Sequence, residues 1–127
     1  MVEKRSYRLG NLQFRILRVL WKSGPASVAE VQQQLGGQRR AYTTVATMLR
    51  KMEERGLVRH DETQRKFLYR AVVSQEDVTR SMTADLVDRL FHGSLADAVS
   101  HLLQTREVSR DELARLERLI HERKTRS

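Results

Sequence analysis

The sequence predicts a mainly α-helical chain with a small β-hairpin, on three observations. Apolar residues recur at offsets of three and four through most of the 127 residues, the repeat that lines one side of a helix. One stretch, residues 66–72 (KFLYRAV), changes period: Phe67, Tyr69 and Ala71 alternate with Lys66, Leu68 and Arg70, as in a half-buried strand. Capping boxes, in which a serine and an acid three residues later satisfy each other's helix-start amides, occur at Ser27 with Glu30, Ser74 with Asp77, Ser94 with Asp97 and Ser109 with Glu112.

Residues 1–9 are polar and basic apart from Tyr7 and Leu9 and are expected to fray. A first helix is predicted over residues 11–22, with Leu12, Ile16, Val19 and Leu20 on one face and Phe14, Leu17 and Trp21 widening it. Ser23, Gly24 and Pro25 stop it, because glycine accepts a left-handed cap and proline cannot continue the hydrogen-bond ladder. Ser27 opens a second helix through Ala29, Val31 and Leu35, which Gly36 and Gly37 end. The third helix, residues 41–55 (AYTTVATMLRKMEER), carries Val45, Met48, Leu49 and Met52 on its inner stripe. It lacks a good N-cap, since Ala41 or Arg40 stands where serine or aspartate would serve. Gly56 closes it. Strands at 57–61 and 66–72 then flank a polar turn, residues 62–65, and such a hairpin must pack on the helices to persist.

That order of elements is a winged helix-turn-helix, and its third helix carries the chemistry. Thr43, Thr47, Arg50 and Glu54 face away from the inner stripe, flanked by Thr44, Ala46, Lys51 and, just before the helix, Arg39 and Arg40. Threonine is a poor helix former, so three within five residues need a reason beyond helicity. A DNA major groove supplies one: threonine hydroxyls reach base edges, the methyls pack on thymine, and flanking cations take phosphates. Arg65 and Lys66 at the wing tip suit a phosphate or the minor groove. The competing readings are a solvated threonine face and, at the wing, charges that guard an exposed strand edge.

Charge divides the chain in the same place. Residues 1–73 hold 15 Lys+Arg against 6 Asp+Glu, a net of +9, whereas residues 74–127 hold 9 against 10. A polyanion partner is expected for the first part and another task for the second. Residues 74–127 read as three amphipathic helices, with Val78, Met82, Leu86, Leu90 and Phe91 on the first, Leu95, Ala98, Val99, Leu102 and Leu103 on the second, and Leu113, Leu116, Leu119 and Ile120 on the third. Three narrow stripes have too little mutual surface to fold alone, so a dimerisation region is expected, with Met82, Leu86, Leu90, Leu102, Leu103, Leu116, Leu119 and Ile120 at its core. The alternative is a monomeric cap folded back on the first domain.

Other classes lack support. The chain has no cysteine, which excludes disulfides and thiolate metal sites. His60, His92, His101 and His121 are too dispersed for a metal site and read as surface or packing residues. There is no glycine-rich phosphate loop and no nucleophile arrangement, so neither enzyme activity nor a cofactor is expected. Without a long apolar run or a signal-peptide core, a cytoplasmic protein is expected, with no membrane insertion.

Several strings resemble the BlaI/MecI/CopY family of bacterial transcriptional repressors, the penicillinase repressors: LQFRILRVLW from Leu12, SVAEV from Ser27, AYTTVAT from Ala41, and Gly56-Leu57-Val58 followed by Tyr69-Arg70-Ala71. The likeness is strong to Val73 and beyond it rests on helix pattern. It implies a homodimer on a pseudo-palindromic operator with TACA/TGTA-like half-sites, control of β-lactam resistance genes, and major-groove reading by Thr43, Thr44 and Thr47. It also implies relief of repression by cleavage in the dimerisation region, set off indirectly by a membrane sensor protease. By helix register the cut corresponds to His101-Leu102. The asparagine-phenylalanine pair of well-studied members is absent here, as are the cysteines of copper-responsive members, and Gln64 stands where the wing commonly has glycine.

The combined expectation is a winged helix-turn-helix DNA-binding domain at residues 1–73 followed by a three-helix dimerisation region at 74–127, together a dimeric repressor. Its DNA-binding residues are Arg40, Tyr42, Thr43, Thr44, Thr47, Arg50, Lys51, Arg65 and Lys66. The alternatives are a winged-helix protein-interaction module that meets an acidic partner, and a small-molecule-sensing regulator with a pocket between its halves.

Overall fold

The computed structural model describes residues 7, 9–37 and 40–126, so most of the amino terminus expected to fray, and Arg39, lie outside the described residues. The elements are α1 (Asn11–Ser23), α2 (Val28–Gln34), α3 (Tyr42–Glu54), β1 (Val58–Thr63), β2 (Lys66–Ala71), α4 (Gln75–Phe91), α5 (Leu95–Thr105) and α6 (Arg110–Arg126). The chain divides into two compact units, Met1–Asp85 and Leu86–Ser127.

In the first unit the inner stripes of α1, α2 and α3 meet over one core. Ile16, Leu17, Val31, Val45, Leu49 and Met52 are fully buried there, and Leu57, Val58 and Tyr69 close it from the hairpin side. Each helix end is satisfied as its residues dictate. Gly24, at φ 78°, returns its amide to the Leu20 carbonyl at 3.0 Å and ends α1. Ser27 Oγ accepts from the Glu30 amide at 3.2 Å while the Glu30 carboxylate accepts from the Ser27 amide at 3.0 Å, the capping box expected from the sequence. At the end of α3, Gly56 at φ 77° lets the Leu57 amide reach the Met52 carbonyl at 2.9 Å. Trp21 spends its indole N–H on the Val73 carbonyl at 2.9 Å, which fixes the chain where it leaves the hairpin for α4.

The hairpin differs from expectation in length and in turn. The strands pair antiparallel from Val58 with Ala71 to Thr63 with Lys66, so only Gln64 and Arg65 remain in the loop. Both have positive φ, 50° and 67°, as the tight two-residue turn compatible with strand twist requires. Because neither is glycine, asparagine or aspartate, the sequence did not signal so short a loop, and each residue bears the Cβ cost of the left-handed region. Replacing Gln64-Arg65 with Asn-Gly should therefore stabilise the first unit by about 1–2 kcal/mol, seen as a rise in the thermal midpoint. The alternation in β2 is also incomplete: Tyr69 is buried but Phe67 is 51% exposed, because the strand outruns the core. A further bridge was not legible at all. Ala26 and Tyr69 exchange backbone hydrogen bonds at 2.9 and 2.8 Å, adding a one-residue third strand to the sheet.

The first unit extends into α4. Val78 is fully buried in its core and Met82 packs against that core, so Met82, expected among the dimerisation residues, is placed in the winged-helix unit. The Ser74, Ser94 and Ser109 hydroxyls accept from the amides of Asp77, Asp97 and Glu112 as helix starts. In the second unit, Ala98 is the one buried residue among those described. Leu86, Leu90, Leu95, Leu102, Leu103, Leu113, Leu119 and Ile120 are all exposed, and no residue of α6 is buried.

Candidate nucleic-acid interface

The third helix presents the face anticipated from its residue types. With Val45, Leu49 and Met52 buried beneath, Tyr42, Thr43, Thr44, Arg50 and Lys51 are exposed, and Thr47 sits half-buried at the edge of the same face. Arg50 Nη2 lies 3.5 Å from Thr47 Oγ1, so guanidinium and hydroxyl share one patch. Met48 belongs to the flank, where its sulfur accepts from Gln13 Nε2 at 3.3 Å. Ala41 is extended and no side chain caps α3, which leaves its first amides available to an anion. The turn before it is pinned by Gln32 Nε2, which donates to the Arg40 carbonyl at 2.7 Å. Arg40 itself is half-buried.

The wing places Arg65 and Lys66, both exposed, at the tip of the hairpin. Its base is tied to α3 by a pair of residues that sequence reading missed. The Glu53 carboxylate accepts from the His60 amide at 3.0 Å and lies 2.7 and 2.9 Å from His60 Nδ1. The His60 ring is held in turn between Phe67 and Tyr69, with centroids 4.7 and 5.4 Å away. Seven residues separate Glu53 from His60, but α3 ends between them at Gly56, so the helical period does not carry from one to the other. The chemistry of the pair is visible only once β1 is laid beside the end of α3.

Electrostatics follow from that geometry. Burial works to raise the Glu53 carboxyl, but the hydrogen bonds from the His60 ring and amide outweigh it and hold the group below its ordinary value of 4.5. A carboxyl lowered in the folded state adds stability above its unfolded value and loses it as pH falls through the folded one. Glu53→Gln should thus cost about 1 kcal/mol at neutral pH and flatten the decline in stability below pH 4.5, measured by denaturant titration at several pH values. Tyr69 is shifted up, chiefly by burial and then by the Glu53 charge, with Arg50 opposing. Serine hydrogen bonds, from the Ser27 backbone first, lower Glu30, and the charge of Lys66 adds to this from the wing.

The dimerisation candidates other than Met82, and the cleavage candidates, belong to the second unit. Leu86, Leu90, Leu102, Leu103, Leu119 and Ile120 are exposed and Leu116 is half-buried, all in the second unit. His101 and Leu102 are exposed but sit within α5, so cleavage between them would require that helix to unwind. The His101 ring packs against Phe91 in a tilted arrangement, with centroids 5.7 Å apart. No group of metal-binding side chains occurs among the described residues, and none of their helices is long and apolar enough to cross a membrane.

A three-helix core, a strand hairpin and an uncapped helix with a hydroxyl-rich, basic outer face define a winged-helix transcriptional regulator. The penicillinase repressor family model matches residues 9–122, and the chain belongs to that family, whose members are transcriptional repressors and not enzymes. It is 23% identical over 124 residues to the penicillinase repressor of Bacillus licheniformis, covering 97% of each chain. It is 30% identical over 118 residues to the transcriptional regulator BlaI of Mycobacterium tuberculosis, covering 91% of this chain and 84% of that one. Among solved structures, the monomeric form of Bacillus licheniformis BlaI in complex with the blaP half-operator superposes with a TM-score of 0.50 at 22% identity, over 59% of this chain and 93% of that one. A MarR family protein from Bacillus stearothermophilus matches with a TM-score of 0.51 at 22% identity, over 94% and 77%. These two establish the winged-helix fold.

Proposed function

We propose that the chain is a dimeric, sequence-specific repressor whose α3 enters the major groove of a pseudo-palindromic operator with TACA/TGTA-like half-sites. The observation that carries this reading is the exposed set Tyr42, Thr43, Thr44, Arg50 and Lys51, with Thr47 at its edge, on a helix whose opposite stripe is buried. Arg40 precedes the helix, and Arg65 and Lys66 supply the phosphate contacts of the wing. The relatives' repressor activity, and the half-operator bound by a fold relative, support the same conclusion. On this reading residues 1–73 with the start of α4 bind DNA, and the rest of residues 74–127 joins two chains through the exposed leucines of the second unit. Any event that separates the pair would relieve repression, including a cut at His101-Leu102 initiated indirectly by a membrane sensor protease.

Anisotropy titrations with a TACA/TGTA dyad and a scrambled duplex at several salt concentrations test the proposal. Thr47→Val keeps the shape and removes the hydroxyl. It should weaken dyad binding about tenfold, within the range for one lost base contact, and leave binding to the scrambled duplex nearly unchanged. Equal losses on both duplexes would remove Thr47 from base reading, and equal affinity of the unaltered protein for both would overturn the function.

A further inference from the structure

Outside the α3 face, an open cleft of about 530 Å³ lies within the first unit, lined by Arg15, Arg18, Trp21, Lys22 and Gln34 over an apolar floor of Val19 and Leu35, with Gln75 at its rim. All of its lining belongs to the unit Met1–Asp85. Arg15, Arg18 and Lys22 sit at offsets of zero, three and seven, which puts them on one ridge of α1. Like charges at such spacing repel, and α1 contains no carboxylate to offset them. None of the three has an ion-pair partner among the described residues. Lys22 gains from the negative end of the α1 dipole, but Arg15 and Arg18 are mid-helix and have no such account.

The other wall is preorganised. Trp21 is fixed by its indole bond to the Val73 carbonyl, and the Gln34 side-chain carbonyl accepts from Ser23 Oγ at 3.0 Å, which leaves the Gln34 amide N–H groups as donors. Leu35 and Val19 are both buried, giving an apolar bed beside the cationic ridge. We infer that this cleft binds a small organic carboxylate, its charge on Arg15, Arg18 and Lys22 and its apolar body against Val19, Leu35 and Trp21. The lining comes from α1, α2 and the first residue of α4, so an occupant braces the three together. Binding here does not depend on DNA recognition and is read without DNA.

Trp21 is the single tryptophan of the chain and reports on the cleft directly. The full-length protein is titrated with octanoate and benzoate at constant ionic strength, with octanamide and benzamide as neutral counterparts, following Trp21 fluorescence. A saturable change with either carboxylate, absent with its amide, is the expected result. Arg18→Gln with Lys22→Gln changes two exposed side chains and should weaken carboxylate binding at least tenfold, with an unchanged far-ultraviolet circular dichroism spectrum. Equal responses to acid and amide, or no saturable response to either acid, would overturn the site. So would retained affinity in a folded double variant, or displacement of the carboxylate by a random duplex, which would make the ridge a phosphate contact.

Discussion

Replacing Leu119 and Ile120 together with aspartate should lower affinity for an operator dyad by about 10²–10⁴-fold while leaving affinity for an isolated half-site unchanged. The two residues are 51% and 55% exposed on α6, a helix of 17 residues with none buried. A polypeptide that leaves so many leucines in water is short of a partner surface. Joining two modules makes the second half-site encounter intramolecular, and the gain disappears when the link is cut. Neither residue belongs to the winged-helix unit, so a loss confined to the dyad isolates the contribution of pairing. If the proposed dimer forms through these residues, sedimentation should show the unaltered protein as a dimer and the variant as a monomer at the same concentration. A dimeric variant with unchanged dyad affinity would place the chain-to-chain contact elsewhere.

Leu49→Ala should destabilise the first unit by about 2–5 kcal/mol, the cost of a large cavity in a packed core. Leu49 is fully buried under α3, between Val45 and Met52, and the surrounding helices converge on it, so little collapse into the void is available. For a unit of this size each kcal/mol shifts the thermal midpoint by about 4–8 °C, which makes the effect plain in calorimetry. Because Leu49 anchors α3 in the core, the proposed DNA-reading role of that helix implies that dyad and scrambled-duplex binding should decline together as the unit loosens. That pattern contrasts with the selective loss expected of Thr47→Val. A change in midpoint of less than about 4 °C would mean that the core relaxes into the cavity.

Local signals carried far in this chain. The Ser27 capping box, the stop at Gly24 and the inner stripe of α3 are decided within a few residues by backbone chemistry, and the structure forms each as the spacing implied. Family resemblance and element order agreed on the winged helix for the same reason. What escaped notice depends on distant partners. The Glu53–His60 clasp and the Ala26–Tyr69 bridge join residues that no single element's period relates. Gln64 and Arg65 adopt a turn for which neither is a preferred residue, so composition pointed to a longer loop. Met82 shares its helix with Leu86 and Leu90, and its packing against the first unit's core depends on how α4 meets that core, which amphipathic spacing does not encode. On the candidate interface, residue types indicated the outward face of α3, but not the partial retreat of Thr47 toward Arg50.

The two backbone bonds between Ala26 and Tyr69 make the wing part of a lever. Ala26 immediately precedes the Ser27 cap of α2, and Gln32 of α2 holds the turn that feeds α3. Arg65 and Lys66 at the tip are thus connected along β2 to the root of α2, and through Gln32 to the turn before α3. On the proposed DNA-bound arrangement, a grip on the hairpin would also bear on the aim of α3, so the two grooves of a duplex would be engaged in concert and not by independent fingers.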